Sequence, residues 1–157
     1  MKVTFTLNGR KIEREVKSNR LLLDLLRTDL GITSVKKGCE QGECGVCTVL
    51  LDSAPVNSCL VLAQQIEGRT VTTVEGLKDE PVMKALQLAF IEDGAIQCGY
   101  CTPGMLLSAY ALLKKNPKPT VEEVKTAIEG NLCRCTGYVK IIEAILDAAG
   151  RIKVERD

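Results

Sequence analysis

Eight cysteines and no histidine define the metal chemistry open to this 157-residue chain. Cys39, Cys44 and Cys47 follow C-x4-C-x2-C spacing, and Cys59 comes after eleven further residues. That spacing is typical of the thiolates that hold a plant-type [2Fe–2S] cluster. The surrounding glycines suit a loop that wraps a cluster closely, with backbone N–H groups directed at sulfur. We therefore predict that these four cysteines hold a [2Fe–2S] cluster.

The other four cysteines form a second candidate metal site. Cys98 and Cys101 are spaced C-x2-C, Cys133 and Cys135 are spaced C-x-C, and thirty-one residues separate the two pairs. Each pair lies in the connection of a predicted helical hairpin, so packing two hairpins together would bring four thiols to one end of a bundle. Ligation should therefore be coupled to packing. The spacing alone leaves zinc and an iron–sulfur cluster both open.

Composition excludes several classes of protein. Without histidine, the chain cannot form a Rieske centre, a Ser–His or Cys–His catalytic pair, or most zinc hydrolase sites. The formal net charge of +1 comes without a basic stripe, so no nucleic-acid partner is expected. The N-terminal segment has no signal-type apolar region, and no apolar run approaches membrane-spanning length. We expect a cytoplasmic protein with no membrane span, in which reduced thiols bind metal rather than form disulfides.

The first half of the chain predicts a small unit of strands with one helix. Alternating apolar residues over 3–7 predict a half-buried strand, and Asn8-Gly9 is a strong hairpin signal. Ser18 or Asn19 would cap a helix that carries leucines at helical spacing. Further strands are predicted over 11–16, 48–51 and 70–74, with another near Val56.

The second half has helical periodicity and predicts four helices. Their predicted starts are Pro81, Pro103 behind an N-cap at Thr102, Val121 within the capping box of Thr120 and Glu123, and Tyr138. The whole chain is therefore predicted to have an α+β fold in two domains, residues 1–76 and residues 77–157, the second of them an all-α four-helix bundle.

Three segments taken together resemble one known family. They are Gly38–Thr48, which contains the first three cysteines, Gln97–Gly104 and Gly130–Tyr138. The first is common to plant-type ferredoxins, but the three in this order resemble the [2Fe–2S] subunit, or N-terminal domain, of the molybdenum hydroxylases. That family includes xanthine dehydrogenase, aldehyde oxidoreductase, carbon monoxide dehydrogenase, nicotinate dehydrogenase and 4-hydroxybenzoyl-CoA reductase. The resemblance covers almost the whole chain, with no departure at a ligand position.

The resemblance implies a β-grasp, plant-type ferredoxin domain followed by a four-helix-bundle [2Fe–2S] domain. It also implies that Cys98, Cys101, Cys133 and Cys135 hold the cluster proximal to molybdenum, and that Cys39, Cys44, Cys47 and Cys59 hold the distal cluster. Gln97 and Cys135 would contact the molybdopterin. No catalytic residue is expected on this chain.

The implied partners are a large subunit with molybdopterin-bound molybdenum and a medium subunit with FAD, in a heterotrimer or a dimer of heterotrimers. The two clusters would relay electrons between molybdenum and FAD or an external acceptor. The family's substrates include purines, N-heteroaromatics, aldehydes, carbon monoxide and aryl-CoA esters. The closing run Gly137–Ile142 is similar to the hydroxybenzoyl-CoA reductase type.

Two other hypotheses remain at this stage. A free-standing two-cluster ferredoxin would shuttle electrons between enzymes, although a simple plant-type shuttle needs only the first half of the chain. A zinc-stapled interaction module would have no redox role, and metal analysis would distinguish it from both of the others.

Overall fold

The computed structural model of the chain describes residues 1–156, with side chains described through Ile152. The described part combines one mixed sheet with a group of helices, which confirms the predicted α+β class. None of the helices in this part is long and apolar enough to cross a membrane.

The sheet has five strands in the order β2-β1-β5-β3-β4. The strands are β1 (Lys2–Leu7), β2 (Arg10–Glu15), β3 (Thr48–Leu51), β4 (Ala54–Asn57) and β5 (Thr70–Thr72). The β1–β2 hairpin turns at Asn8 and Gly9, both at positive φ, as the two-residue turn requires. β5 joins the two hairpins because it pairs parallel with β1 and antiparallel with β3.

The last strand is shorter than the sequence predicted. The backbone N–H of Thr73 donates to Asn8 Oδ1 at 2.8 Å, and Asn8 Nδ2 donates to the Thr73 hydroxyl at 2.9 Å. A short 3-10 turn over Val74–Leu77 follows directly. The hairpin turn thus ends β5 by supplying its next hydrogen-bond partner from a side chain.

The predicted helix of the first half is short, and its predicted cap is wrong. Leu22–Asp24 is α-helical and is called α1, and Leu25–Asp29 continues it as a π-helix. Neither Ser18 nor Asn19 caps it, since the helix begins behind Leu21 with no side-chain cap. The N–H of Leu22 donates to Val61 O at 2.8 Å instead. Backbone pairing with a distant segment therefore replaces the local cap.

Four helices form the second half, as predicted. They are α2 (Pro81–Glu92), α3 (Thr102–Lys115), α4 (Val121–Ile128) and α5 (Val139–Arg156). The capping box of Thr120 and Glu123 is present at α4. The predicted N-cap of α3 lies one residue too late, because Thr102 is already helical and Cys101 holds the cap position without a side-chain bond.

Strand β3 connects the two hydrophobic cores. All four of its residues are buried, because α3 covers the face of the sheet opposite to α1. Val49 and Leu51 belong to the core between the sheet and α1, whereas Leu50 packs into the core of the helical bundle. Successive strand residues point to opposite faces. The cysteine-rich loop that precedes β3 is thereby held between the two units.

Candidate metal centres

The loop before β3 surrounds the thiol of Cys39 with backbone N–H groups. Cys39 Sγ accepts hydrogen bonds from the N–H groups of Gln41 at 3.5 Å, Glu43 at 3.3 Å and Cys44 at 3.4 Å. In return, the N–H of Cys39 donates to Cys44 Sγ at 3.4 Å. Such donors stabilise negative charge on sulfur and so prepare the loop for thiolate ligation.

The four thiols of this loop and of Cys59 lie in two pairs. Cys39 and Cys44 are within hydrogen-bonding reach of each other, as are Cys47 and Cys59. The first pair is partly exposed and the second is buried. The charge on Cys39 also acts on Cys59 across the gap between the pairs. The structure therefore brings together all four cysteines that the first motif indicated.

Cys39 and Cys59 lie in environments that shift their pKa values in opposite directions. The backbone N–H groups, that of Gln41 first, lower the pKa of Cys39 to about 6. Burial, followed by the neighbouring Cys47 thiol, raises the pKa of Cys59 to about 11. Ligation must therefore remove a proton from Cys59 at neutral pH, which couples metal binding to proton release.

The second group of thiols lies at one end of the bundle and is also paired. Cys101 is within hydrogen-bonding reach of Cys133, and Cys98 of Cys135. Cys98 and Cys135 are exposed, whereas the other pair is partly buried. The loops before α3 and α5 thus lie together, as expected from the packing of two helical hairpins.

The two partly buried thiols at this end of the bundle, Cys101 and Cys133, have pKa values shifted in opposite directions. Burial and then the contact with Cys133 raise the pKa of Cys101 to about 12. Burial would also raise the pKa of Cys133, but hydrogen bonds led by the Thr136 hydroxyl outweigh it, and the net pKa is lowered. Thr136 Oγ1 lies 3.1 Å from Cys133 Sγ, and the Cys133 N–H donates to the Tyr138 hydroxyl at 3.0 Å. The bundle site is therefore supported by polar groups as well as by packing.

The paired arrangement fits a two-iron cluster better than a single ion. A mononuclear zinc site needs four ligands around one point. In each group here the four thiols instead lie as two pairs. Two thiols for each of two metal atoms match a [2Fe–2S] cluster ligated by four cysteines. The donor set is all sulfur, which also suits iron–sulfur chemistry.

Gln97 lies on the surface beside the bundle site. It immediately precedes Cys98 in the loop between α2 and α3, and its side chain is exposed. Cys135 is exposed as well. Both residues are therefore accessible to another molecule.

The junction between the two cysteine loops contains residues to which the sequence assigned no role of their own. The buried Asn131 side chain bonds to Gly45, Thr48 and Ser108, and the Leu132 N–H donates to Cys44 O at 2.9 Å. One signal was available: Ser108 is a polar residue within the apolar run of α3. Nothing in the local sequence indicated what it contacts.

Comparison with known proteins identifies two iron–sulfur domains in the chain. Residues 5–74 match the family model of the 2Fe-2S iron-sulfur cluster binding domain, and residues 73–146 match that of the [2Fe-2S] binding domain. The chain is similar to the nicotinate dehydrogenase small FeS subunit of Eubacterium barkeri, with 52% identity over 98% of this chain and 95% of that subunit. It is 51% identical to the nicotine 6-hydroxylase small subunit of Paenarthrobacter nicotinovorans, over 97% and 92% of the two chains.

A solved structure is similar over the same extent. It is a chain of quinoline 2-oxidoreductase from Pseudomonas putida 86, with a TM-score of 0.92 and 47% identity, covering 99% of this chain and 96% of that one. The matched region therefore includes both the sheet and the helical bundle.

The fold, the paired thiols and the two domain matches define a protein that carries two [2Fe–2S] clusters and transfers electrons. Its full-length relatives narrow the class further. The chain belongs to the family of [2Fe–2S] small subunits of the molybdenum hydroxylases, and is thus one component of a multi-subunit oxidoreductase. The predicted family, fold and clusters are confirmed, and the alternative of a zinc-stapled module is wrong.

Proposed function

We propose that each group of four thiols is the complete ligand set of one cluster. Cys39, Cys44, Cys47 and Cys59 hold the distal cluster, and Cys98, Cys101, Cys133 and Cys135 hold the proximal one. The observation that carries this assignment is the pairing of the thiols, two pairs in each group, because each iron of a [2Fe–2S] cluster takes two thiolates.

The division of the chain follows from the same proposal. Residues 1–76 form the ferredoxin domain and residues 77–157 form the bundle domain. In support, the described side chains form two hydrophobic cores, one between the sheet and α1 and one among α2, α3, α4 and α5. Eight free thiols suit a reducing compartment, so the proposed location is the cytoplasm.

The bundle end is the proposed contact with a large, molybdopterin-binding subunit. Gln97 and Cys135 are the residues proposed to contact the pterin. A glutamine amide can both donate and accept hydrogen bonds, which matches the mixed edge of a pterin. Support comes from exposure, since Gln97, Cys98 and Cys135 all lie at the surface, whereas Cys47 and Cys59 are buried.

A medium FAD subunit is the proposed partner at the distal cluster, in a heterotrimer or a dimer of heterotrimers. Bound clusters supply reversible one-electron transfer between the molybdenum centre and FAD or another acceptor. The chain's own residues hold the clusters, set the charge around the sulfurs and keep the two loops at a constant separation.

The proposed substrate of the complex is an N-heteroaromatic compound. Similar proteins are named for nicotinate, nicotine, caffeine and quinoline. This chain would not bind that substrate itself. The substrate class can be identified with the purified native complex. The test asks whether nicotinate, hypoxanthine or an aldehyde bleaches its oxidised clusters, or whether an aryl-CoA ester reoxidises its reduced ones.

Metal analysis of the full chain tests the ligand assignment. Two [2Fe–2S] clusters correspond to about four iron and about four sulfide per chain. Reduction should give two separable paramagnetic signals, because the hydrogen bonding and exposure of the two loops differ. Half that iron content with a single signal would contradict the proposal, as would stoichiometric zinc without sulfide.

A further inference from the structure

A buried amide crosses the junction between the two cysteine loops. Asn131 is 4% exposed and lies two residues before Cys133. Its Nδ2 donates to Gly45 O at 3.1 Å and to Thr48 Oγ1 at 3.2 Å, and its Oδ1 accepts from Ser108 Oγ at 2.7 Å. One side chain therefore binds the loop before β3 and helix α3 at the same time.

The Gly45 carbonyl accepts three hydrogen bonds, one of which comes from Asn131. Besides Asn131 it accepts from the Thr48 hydroxyl at 2.7 Å and from the Thr48 N–H at 3.1 Å. Gly45 also has φ +71°, and a Cβ there would lie 2.1 Å from Gly130 O. The backbones approach so closely that only glycine fits at this position. Packing and hydrogen bonds thus hold one relative placement of the two loops.

This placement sets the separation of the two thiol groups. Gly45 directly follows Cys44, and the Leu132 N–H next to Cys133 donates to Cys44 O at 2.9 Å. A shift of the Gly45 segment against the Asn131 segment would move one ligand loop relative to the other. It would leave the bonds within each loop intact.

We propose that Asn131 is a positioning residue for electron exchange between the two clusters. The proposal rests on the ligand sets assigned above. In each exchange one electron leaves the reduced cluster and enters the oxidised one, and no bond forms or breaks at Asn131. Electron-tunnelling rates fall exponentially with distance. Because the Gly45 and Gly130 backbones are already in close contact, a displaced junction places the two loops farther apart and exchanges electrons more slowly. Asn131 acts by keeping the two loops in close contact.

The test is Asn131→Ala in the full chain with both clusters bound. Removing the amide leaves the Ser108 hydroxyl without its acceptor and Gly45 O without its donor from the bundle. The population of displaced junctions should rise on the order of tenfold, which is the factor that corresponds to the net loss of one or two hydrogen bonds. The spin–spin coupling between the reduced clusters should weaken and broaden, and their exchange rate should fall, at unchanged iron content.

Asn57→Ala is the matched control. The Asn57 amide donates to Gly42 O at 3.1 Å, so it also binds a carbonyl of the first cysteine loop, but from β4 of the same unit. Its removal should leave the coupling between the clusters as in the wild type. If Asn131→Ala does not fold, Ser108→Ala serves instead, because it removes only the hydroxyl that orients the amide and should broaden the coupling to a smaller extent.

The outcomes separate this proposal from the one on which it rests. Wild-type coupling in Asn131→Ala would overturn the positioning role, and so would loss of iron from one cluster, because Asn131 would then support ligation. Equal weakening in Asn57→Ala would also overturn it. A wild-type chain with fewer than two clusters would instead contradict the ligand sets.

Discussion

Individual sulfur atoms in this chain differ more in environment than the motif spacing suggests. Cys39 accepts three backbone N–H bonds in an exposed loop, whereas Cys59 is buried beside another thiol. The pKa of Cys39 is accordingly lowered to about 6, and that of Cys59 is raised to about 11. Thiolate charge is therefore stabilised before metal binding at Cys39, and only by the metal at Cys59.

Substitution of single ligands should separate the two clusters. Cys47→Ser should abolish the ferredoxin-domain signal and leave the bundle signal unchanged, and Cys133→Ser should do the reverse. Cys133→Ser should also destabilise the bundle, because its two hairpins lose a shared clamp. Paramagnetic spectra and iron content of both variants provide the measurement, and each variant is the control for the other. Loss of both signals from a folded variant would contradict the ligand sets.

Gln97 should matter for pterin binding and not for iron. Gln97→Ala should leave both cluster signals in place and should weaken pterin retention by about 1–3 kcal/mol if a buried partner is left unpaired. The measurement is the molybdopterin content of the purified complex after dilution. Gln41→Ala is a suitable control, because that exposed glutamine lies beside the distal site. Equal losses in the two variants would argue against a pterin contact at Gln97.

Helices α2 and α5 pack against each other, and their contact includes a pair of carboxylates. Asp93 ends α2 beside Asp147 of α5, which is bound by Arg151 at 2.7 Å. Asp93 Oδ2 is buried without a hydrogen-bond partner. Burial, and then the charge of Asp147, raise the pKa of Asp93, whereas the Arg151 hydrogen bond lowers the pKa of Asp147. A proton shared between the two carboxyl groups would remove the repulsion between their charges.

Asp93→Asn should therefore stabilise the bundle in a pH-dependent manner. The raised pKa means that folding favours the protonated acid, so stability falls as pH rises from the ordinary value of 3.8 through the raised one. An amide donates to Asp147 without titrating, so the gain should be about 1 kcal/mol at neutral pH and should shrink near pH 4. Thermal unfolding at both pH values provides the measurement.

Asp147→Asn is the control for that change. It weakens the bond to Arg151 and should lower stability at neutral pH, because the depressed pKa of Asp147 stabilises the fold above the ordinary value and that contribution is lost as pH falls. A gain from Asp93→Asn that is equal at both pH values would show that folding does not raise the pKa of Asp93.

At the scale of the whole molecule, the two units form a joined pair rather than separate modules. β3 contributes to both cores, the Asn131 amide crosses the junction, and the Tyr100 hydroxyl donates to Lys37 O. Tyr100 lies between Cys98 and Cys101, and Lys37 lies two residues before Cys39. Both cysteine loops are thus bound to each other directly, which suits a fixed relay of electrons.

The proposed proximal and distal positions of the two clusters predict the order in which they are reduced. In the complex, substrate should reduce the bundle cluster first and the ferredoxin cluster second. With Cys133→Ser, the ferredoxin cluster should no longer be reduced by substrate, whereas with Cys47→Ser the bundle cluster should still be reduced. Rapid-freeze spectra after mixing with substrate follow each signal. Reduction of the ferredoxin cluster at an undiminished rate in Cys133→Ser would contradict this order.

Local sequence determined the features that depend on neighbouring residues. The Asn8-Gly9 turn, the capping box of Thr120 and Glu123, and the C-x4-C-x2-C spacing each act over a few residues, so they could be recognised without a structure. The three family segments extended this to the class of protein. The predicted division at residue 76 and the roles of Gln97 and the cysteines remain predictions.

Tertiary structure alone decided the features that depend on contacts between distant segments. The Leu22 N–H donates to the Val61 carbonyl, which removes the need for the predicted cap at Ser18 or Asn19. The Thr73 N–H donates to the side-chain oxygen of Asn8, and β5 therefore ends early. Asn131 lies eighty-six residues from Gly45 in sequence, yet bonds to it in the fold. A polar residue's partner is set by which backbone groups packing brings within about 3 Å, and no local pattern records that distance.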